Sequence, residues 1–534
     1  MNRYFNTVGP NVATEHYSID PLCRIDWEKT EELFRRERYF ALRGPRRCGM
    51  TTLLTAVVDR LTKDGVFEPL YVSFDFAPEP IGDYQRGDQL TSKALVASAA
   101  ASMPDSWLAR EGEQRIQTRI APIVFGDLLT QWAGHTEKPT VLVLDHMDGL
   151  VGDAYNHVLR QLRSGYNSCR KWFPRAAILA GVREVRDYRM YDGRGELITG
   201  GSGFNIKAES WRLKDFSEAQ VRELFGQYTS DTGQAFDEAV YPRIIALTGG
   251  HPWLVGTLAR DMTDKCKDSG EVIGLEALET AKEAMIQRLD CHVDPIIDTL
   301  REPGVRRYFE PTLLSQDWPG DYDMDDLRYV TEIGLIPEDR ESRRGSANEM
   351  YHDVVPLALT KALRGKLQDL VADDAFRLAD GRIDCRKMLE GFFAFYREQG
   401  DLLSGTLDYE RAAPVLALQA WLLRVVNGSG KVEREYGSFR ARVDLCAKCY
   451  YEVDGERLEQ RFVVESKMVD KHSDAAKLTR IGLEQTAAYA DLCNADEAHL
   501  VLFDRRPRKA AKRVFVKEAE HGGRAITIWR IRIA

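Results

Sequence analysis

The chain has 534 residues, 44% apolar and 29% charged, with a formal net charge of −9. That length suits about three or four domains with large cores, and that balance excludes a disordered chain or one basic throughout. No 18-residue apolar run and no signal-peptide core occur, and the nine scattered cysteines form no framework, so a cytoplasmic protein without membrane contact is expected.

The charge is uneven. Residues 425–534 hold 21 Lys/Arg against 17 Asp/Glu, leaving residues 1–424 at −13. Nucleic-acid contact is therefore expected near the C-terminus, although scattered solvated charges would give the same count.

Residues 1–38 read as a polar lead-in ending in a helix-like stretch at 27–38. Residues 40–54 (FALRGPRRCGMTTLL) read as an apolar strand, a glycine-bracketed loop and a helix start. Gly44-Pro45-Arg46-Arg47-Cys48-Gly49-Met50-Thr51 fits the phosphate-loop pattern G-x-x-x-x-G-K-[ST] except at Met50. The glycines let backbone N–H groups surround a phosphate, and the helix N-terminus adds a favourable dipole. Thr51, followed by Thr52, can reach Mg²⁺, but the lysine ammonium is missing. Arg46 or Arg47 could substitute for that charge.

Leu53, Leu54, Val57, Val58 and Leu61 stripe the following helix, and residues 70–74 form a second strand. A mostly helical stretch runs to about Trp132. Residues 141–145 (VLVLD) form a buried strand whose Asp145 is placed to meet magnesium, in the Walker B manner. The next residue, usually a water-activating Glu, is His146. Residues 176–182 form another buried strand, after which Arg183 is placed to sense a phosphate. Alternating strands and helices predict a parallel α/β sheet with ligands at the strands' C-terminal ends.

A Gly-rich loop is expected at 192–204 and helices over 216–289, containing the segment TGGHPWL with Pro252. Residues 291–360 read as a small mixed domain. Residues 325–335 and 349–351 resemble the recognition helix and wing of a winged helix; the acidic excess favours protein docking over DNA binding. Helices follow from 353 to 426, with a linker at 400–406 and a boundary at 427–430 (NGSG).

Residues 440–446 and 461–468 are strand-like, with Asp454-Gly455, a type I′ turn signal, between them. Pivoting there places Asp444 opposite Glu465, while Lys467 shares the face of Glu465. Opposed carboxylates cost up to about 1 kcal/mol and imply a cation, with hard oxygens suiting Mg²⁺ or Mn²⁺. A lysine beside that metal can orient an attacking water. Glu433, upstream near a helix end, completes the acidic set, and Gln485 on a helix over 477–492 is a fifth member. A basic run from Arg505 to Lys509 suits phosphate backbone.

Nearly the whole chain resembles a prokaryotic family that joins an AAA-like P-loop ATPase to a C-terminal PD-(D/E)XK nuclease. The stretches that carry the likeness include YFNTVGPN, YFALRGPRRCGMTTLL, VLVLDHMDGL, TGGHPWLVGTLA and RFVVESKM. Gly250-x-Pro252 is similar to the nucleotide-contacting G-x-P element of STAND-type NTPases. The resemblance implies an α/β multidomain fold: a P-loop core over 39–205, a helical lid over 206–290, a winged-helix-like domain over 291–360, a helical linker over 361–426 and a restriction-endonuclease-like domain over 427–534. It implies ATP or ADP at residues 44–52, Asp145, Arg183 and Pro252, and DNA cleavage at Glu433, Asp444, Glu465, Lys467 and Gln485, with Glu433, Asp444 and Glu465 holding the metal. Defence against foreign DNA is a plausible setting. Met50 and His146 both depart from the hydrolytic pattern, so hydrolysis of ATP is not expected to be efficient. A homo-oligomer or partner protein could dock on the P-loop and winged-helix-like domains. The competing reading is a non-hydrolytic switch whose last domain binds nucleic acid without cutting.

Overall fold

The computed structural model describes residues 3–75, 79–118, 123–182, 207–266, 270–288, 299–314, 323–337, 346–372, 375–406, 409, 411–426, 430–433, 445–471, 473–506 and 514–533. Within these, the side chains of 207, 208, 400–406, 431 and 433 are not described. The chain divides into two compact units, residues 1–284 with 324–335, and residues 285–323 with 336–534.

The first unit is built on five strands: β1 (Tyr39–Arg43), β2 (Glu68–Ser73), β3 (Thr140–Asp145), β4 (Ala176–Gly181) and β5 (Lys207–Arg212). They form one parallel sheet in the order β2-β3-β4-β1-β5. The core sheet thus runs to Arg212, past the boundary expected at 205. Every residue of β3 is buried because both sheet faces are covered.

Strand alternation divides the apolar side chains between two cores. Phe40, Leu42, Val141, Val143 and Ile178 meet α1 (Trp27–Arg35) and α2 (Met50–Asp64). Tyr39, Ala41, Leu142, Leu144 and Leu179 meet α3 (Tyr84–Ser102), α5 (Val124–Gly134) and α6 (Gly152–Ser168). Burying each large aliphatic side chain stabilises the fold by about 1.5–3 kcal/mol before entropy is counted. α4 (Trp107–Thr118) completes the helical insertion between β2 and β3.

Four helices follow: α7 (Glu218–Thr232), α8 (Val240–Thr248), α9 (Pro252–Cys266) and α10 (Leu275–Arg288). The N-terminal segment lies along them. Phe5 packs among Tyr17, Phe225 and Tyr228, and Thr7 O accepts from Trp253.

The expected winged helix takes a different form. The helix Met324–Glu332 groups with the first unit, where Glu332 pairs with Arg43 at 2.7 Å. Glu349–Leu359 is helical, where a wing would be extended; the Asn348 side chain caps its first turn. Residues 400–406, expected as a linker, are helical and end the helix Cys385–Thr406.

The second unit carries a six-stranded mixed sheet, ordered β10-β11-β9-β8-β7-β6. Its strands are β6 (Gly430–Glu433), β7 (Leu445–Val453), β8 (Glu456–Val469), β9 (Glu497–Asp504), β10 (Val514–His521) and β11 (Arg524–Arg532). The helix Ala475–Leu492 covers one face. The helix Cys385–Thr406 covers the other, with Phe393 against Trp529 and Phe392 against Phe503. No described helix is long and apolar enough to cross a membrane.

Candidate functional sites

The loop between β1 and α2 has the geometry of an anion cradle. Arg47 and Gly49 both take positive φ, 62° and 83°, turning alternate peptides in opposite directions. Gly49 caps α2 without a side-chain hydrogen bond, so no side chain competes at the helix N-terminus. Cys48 is buried, and its thiol is pushed up to about 11 by that burial, which makes it a packing residue. Met50 packs against the core on the α1–α2 side of the sheet. It takes the lysine position without supplying a cation.

Around the cradle, Thr51 Oγ1 donates to Asp145 Oδ2 at 2.7 Å, so the spacing of 94 residues does bring these two groups together. Tyr71 OH donates to the same oxygen at 2.8 Å, and the His146 backbone N–H donates to Asp145 Oδ1 at 2.8 Å. Burial first, then the charge of Asp145, raises the Tyr71 phenol well above its usual value, so it remains a donor. His146 has left-handed backbone and its Nδ1 lies 3.1 Å from Ser73 Oγ. Asp145 and Thr51 therefore fit a Mg²⁺-nucleotide site in donor chemistry.

Thr52 Oγ1 accepts from the Asn11 backbone N–H. Arg46 reaches Asp148 at 3.6 Å and is mostly exposed. The Arg47 guanidinium stacks on the Trp253 ring, beside Pro252 at the start of α9, with a centroid distance of 4.9 Å. The loop carbonyls are held from outside: Arg24 Nη1 donates to Cys48 O at 2.6 Å, and His251 Nε2 lies 3.1 Å from Arg46 O. Arg183 lies outside the described residues. Sequence reasoning missed Tyr71, Arg24 and the role of His251. His251 sat within the quoted TGGHPWL, whereas Arg24 left no local signal.

In the second unit, β7 and β8 pair antiparallel from Leu445↔Val464 to Val453↔Glu456. Asp454 and Gly455 both have positive φ, as a type I′ turn requires. That is the register expected, in which position 444 falls opposite 465. Asp444 itself lies outside the described residues. Glu465 is fully buried, and the Lys467 ammonium donates to its carboxylate. Glu465 and Lys467 pair in parallel with Leu500 and Leu502 of β9.

Glu433 follows the helix Ala413–Val426 closely, as expected, but on a strand. It closes β6, with its Cα opposite Cys446, because the antiparallel edge pairing captures this four-residue segment. Gln485 lies on the helix Ala475–Leu492, as expected. That helix approaches the sheet closely: a Cβ on Gly482 would lie 2.7 Å from Leu500 Cδ1, in the strand position beside Glu465. One turn further on, Gln485 Oε1 is buried and has no hydrogen-bond partner. An orphaned carbonyl oxygen and a buried carboxylate on adjoining elements fit a hard divalent cation.

The same face ends at Asp504, unremarked in the sequence. Burial would raise its pKa, but hydrogen bonds from Arg506 and Arg530 overcome that and hold it well below the usual carboxylate range. On the opposite face, Cys385, Glu497 and His499 could offer ligand atoms within 4.8 Å of one another. Trp529 Nε1 donates to His499 Nδ1 at 3.4 Å, which leaves the ring proton on Nε2, 3.6 Å from Glu497. The His499 contact lowers the Glu497 pKa. A metal-bound Nε2 would have to lose that proton, which the Trp529 donor on Nδ1 opposes, so the cluster is a poor fit to a metal.

The first unit thus has a P-loop ATPase-like α/β fold. Its phosphate loop follows β1, and β4 separates that strand from Asp145-bearing β3. No protein-family model matches the sequence, and no curated protein matches it. Among solved structures, a Walker-type ATPase of Pyrococcus abyssi is similar at 14% identity, covering 66% of this chain and 99% of its own, with a TM-score of 0.45. Cdc6p of Pyrobaculum aerophilum is similar at 13% identity, 64% and 87% coverage and a TM-score of 0.35. The RuvB Holliday junction branch migration motor of Thermotoga maritima follows at 13% identity, 63% and 97% coverage and 0.33.

Proposed function

We propose that the chain is a Mg²⁺- or Mn²⁺-dependent nuclease acting on DNA, governed by a P-loop domain that binds ATP or ADP and hydrolyses ATP poorly if at all. The observation that carries the proposal is the fully buried Glu465 carboxylate, to which the Lys467 ammonium donates, on a hairpin paired as far as Leu445↔Val464. A fully buried carboxylate is costly to maintain, and the part-buried Lys467 offsets only some of that cost, so a structural hairpin gains little from the pair. Glu465, with Asp444 and Glu433, would hold the cation, and the unpartnered Gln485 Oε1 would face it. The metal, when bound, supplies charge neutralisation at a phosphodiester and a more acidic water. Lys467, which donates to Glu465, would orient that water, and the Arg506–Asp504–Arg530 group would supply positive charge on the same face. Met50 and His146 stand where hydrolysis needs Lys and Glu, so the first unit is read as a nucleotide-responsive regulator. Partner docking, a cytoplasmic setting and defence against foreign DNA belong to the same proposal.

The test is cleavage of single- and double-stranded DNA and of RNA, with Mg²⁺ or Mn²⁺ and with or without ATP. Glu465→Ala and Lys467→Ala should each lower DNA cleavage by about 100-fold or more. Equal cleavage by the variants would remove these residues from the site. DNA binding without cleavage under any metal would leave the non-cutting switch as the better reading.

A further inference from the structure

Two buried side chains reach the phosphate loop from elements far apart in sequence. Arg24 comes from the N-terminal lead-in and His251 from the turn before α9, and they are only 6% and 4% exposed. Arg24 Nη1 donates to Cys48 O at 2.6 Å, its Nε donates to Lys214 O at 2.9 Å, and its Nη2 also bonds Lys214 O. His251 Nε2 lies 3.1 Å from Arg46 O.

The two accepting carbonyls belong to particular peptides. Arg46 C=O shares a peptide plane with Arg47 N–H, and Cys48 C=O shares one with Gly49 N–H. In a trans peptide the C=O and N–H point in opposite directions. Anchoring the two carbonyls outward therefore turns the Arg47 and Gly49 N–H groups toward the other side of the loop. Arg47 and Gly49 are also the loop residues with positive φ. For arginine that conformation costs about 1 kcal/mol and needs support from its surroundings.

We propose that Arg24 and His251 are positioning residues that hold residues 44–51 as a phosphate-binding nest able to work without a P-loop lysine, for the polyphosphate of a nucleotide. The proposal rests on reading this loop as a nucleotide site. It goes further in naming what replaces the lysine: preset backbone donors, with a buried guanidinium behind them. A Cβ at Gly49 would lie 3.0 Å from Arg24 Nη1, so the cation sits directly against the loop. His251 belongs to the lid, so lid position and nest geometry are coupled through one hydrogen bond.

The experiment is calorimetric binding of ATP and of inorganic pyrophosphate to the full chain, with folding of each variant checked by circular dichroism and its melting midpoint. Arg24→Lys keeps stem and charge but loses the fork that spans two carbonyls. It should weaken both anions by about 10-fold, the scale of one charge-assisted hydrogen bond. His251→Leu should do the same, while His251→Gln, whose amide nitrogen reaches the Nε2 position, should retain binding. A purely structural role would move the melting midpoint without distinguishing Gln from Leu in anion affinity. Wild-type binding with unchanged affinity in folded Arg24→Lys and His251→Leu overturns the positioning roles and leaves the nucleotide reading standing. Absence of binding by the wild type overturns both.

Discussion

Asp145 is the residue on which the two hydrolytic departures turn. Its Oδ2 accepts from both Thr51 and Tyr71, so a metal approaching that oxygen competes with two hydroxyls. Replacing Tyr71 by Phe removes one competitor and keeps the ring. We expect the Mg²⁺ dependence of ATP affinity to rise several-fold in Tyr71→Phe; an unchanged dependence would show that Asp145 is not the metal carboxylate. At Met50 and His146 the prediction is joint. Met50→Lys with His146→Glu should gain ATP turnover that neither single change produces, because one supplies charge on the phosphates and the other activates water. Strand VLVLD and its terminal Asp were legible from apolar run and spacing alone. Tyr71 was not, because its part depends on β2 lying beside β3 in register, Ser73 opposite Asp145.

Among the elements, the β7–β8 hairpin shows how far local rules reach. Asp-Gly selects the turn, the turn selects the register, and the register pairs residues 445–453 with 456–464. Gly455→Val places a β-branched residue at φ 85° and should cost about 1–2 kcal/mol in urea denaturation. The helix Ala475–Leu492 carries a second prediction. Gly482→Val inserts atoms where Leu500 already lies and should lower DNA cleavage even in molecules that remain folded, since the helix also carries Gln485. Two features at this scale are set by packing. Edge pairing places Glu433 on a strand that its local sequence does not announce, and a continuing helix absorbs residues 400–406, expected as a linker. The Gly cost of about 1 kcal/mol in a helix interior is small beside the packing of an apolar helix face.

Across the whole molecule, acid should act on the two units at different pH. His251 is buried, and that burial lowers its pKa below 6.5, so the folded first unit resists protonation there. Its contribution is complete above about pH 6.5 and declines as the pH falls through that value toward the folded pKa. Asp504 is depressed below 3.8, so its contribution in the second unit persists to about pH 4 and is lost only below that. Hydrogen exchange between pH 7 and 5 should therefore show the His251 region of the first unit loosening while the β9–β11 region of the second stays protected. Charge also predicts a salt effect. Arg508→Ala with Lys509→Ala, in the basic run beyond β9, should weaken DNA binding across all sequences and reduce its salt slope by about 2. The phosphate-loop spacing, the alternation of buried strands and the Asp-Gly register are properties of neighbouring residues, so they are determined by order along the chain. Strand order and the capture of β6 depend on which strands come to lie side by side, and the Tyr71–Asp145 bond and the hold of Arg24 and His251 on the loop join groups 24 to 205 residues apart. Only tertiary packing decides those, because burial and hydrogen-bond geometry act on what is close in space and leave no periodicity in the sequence.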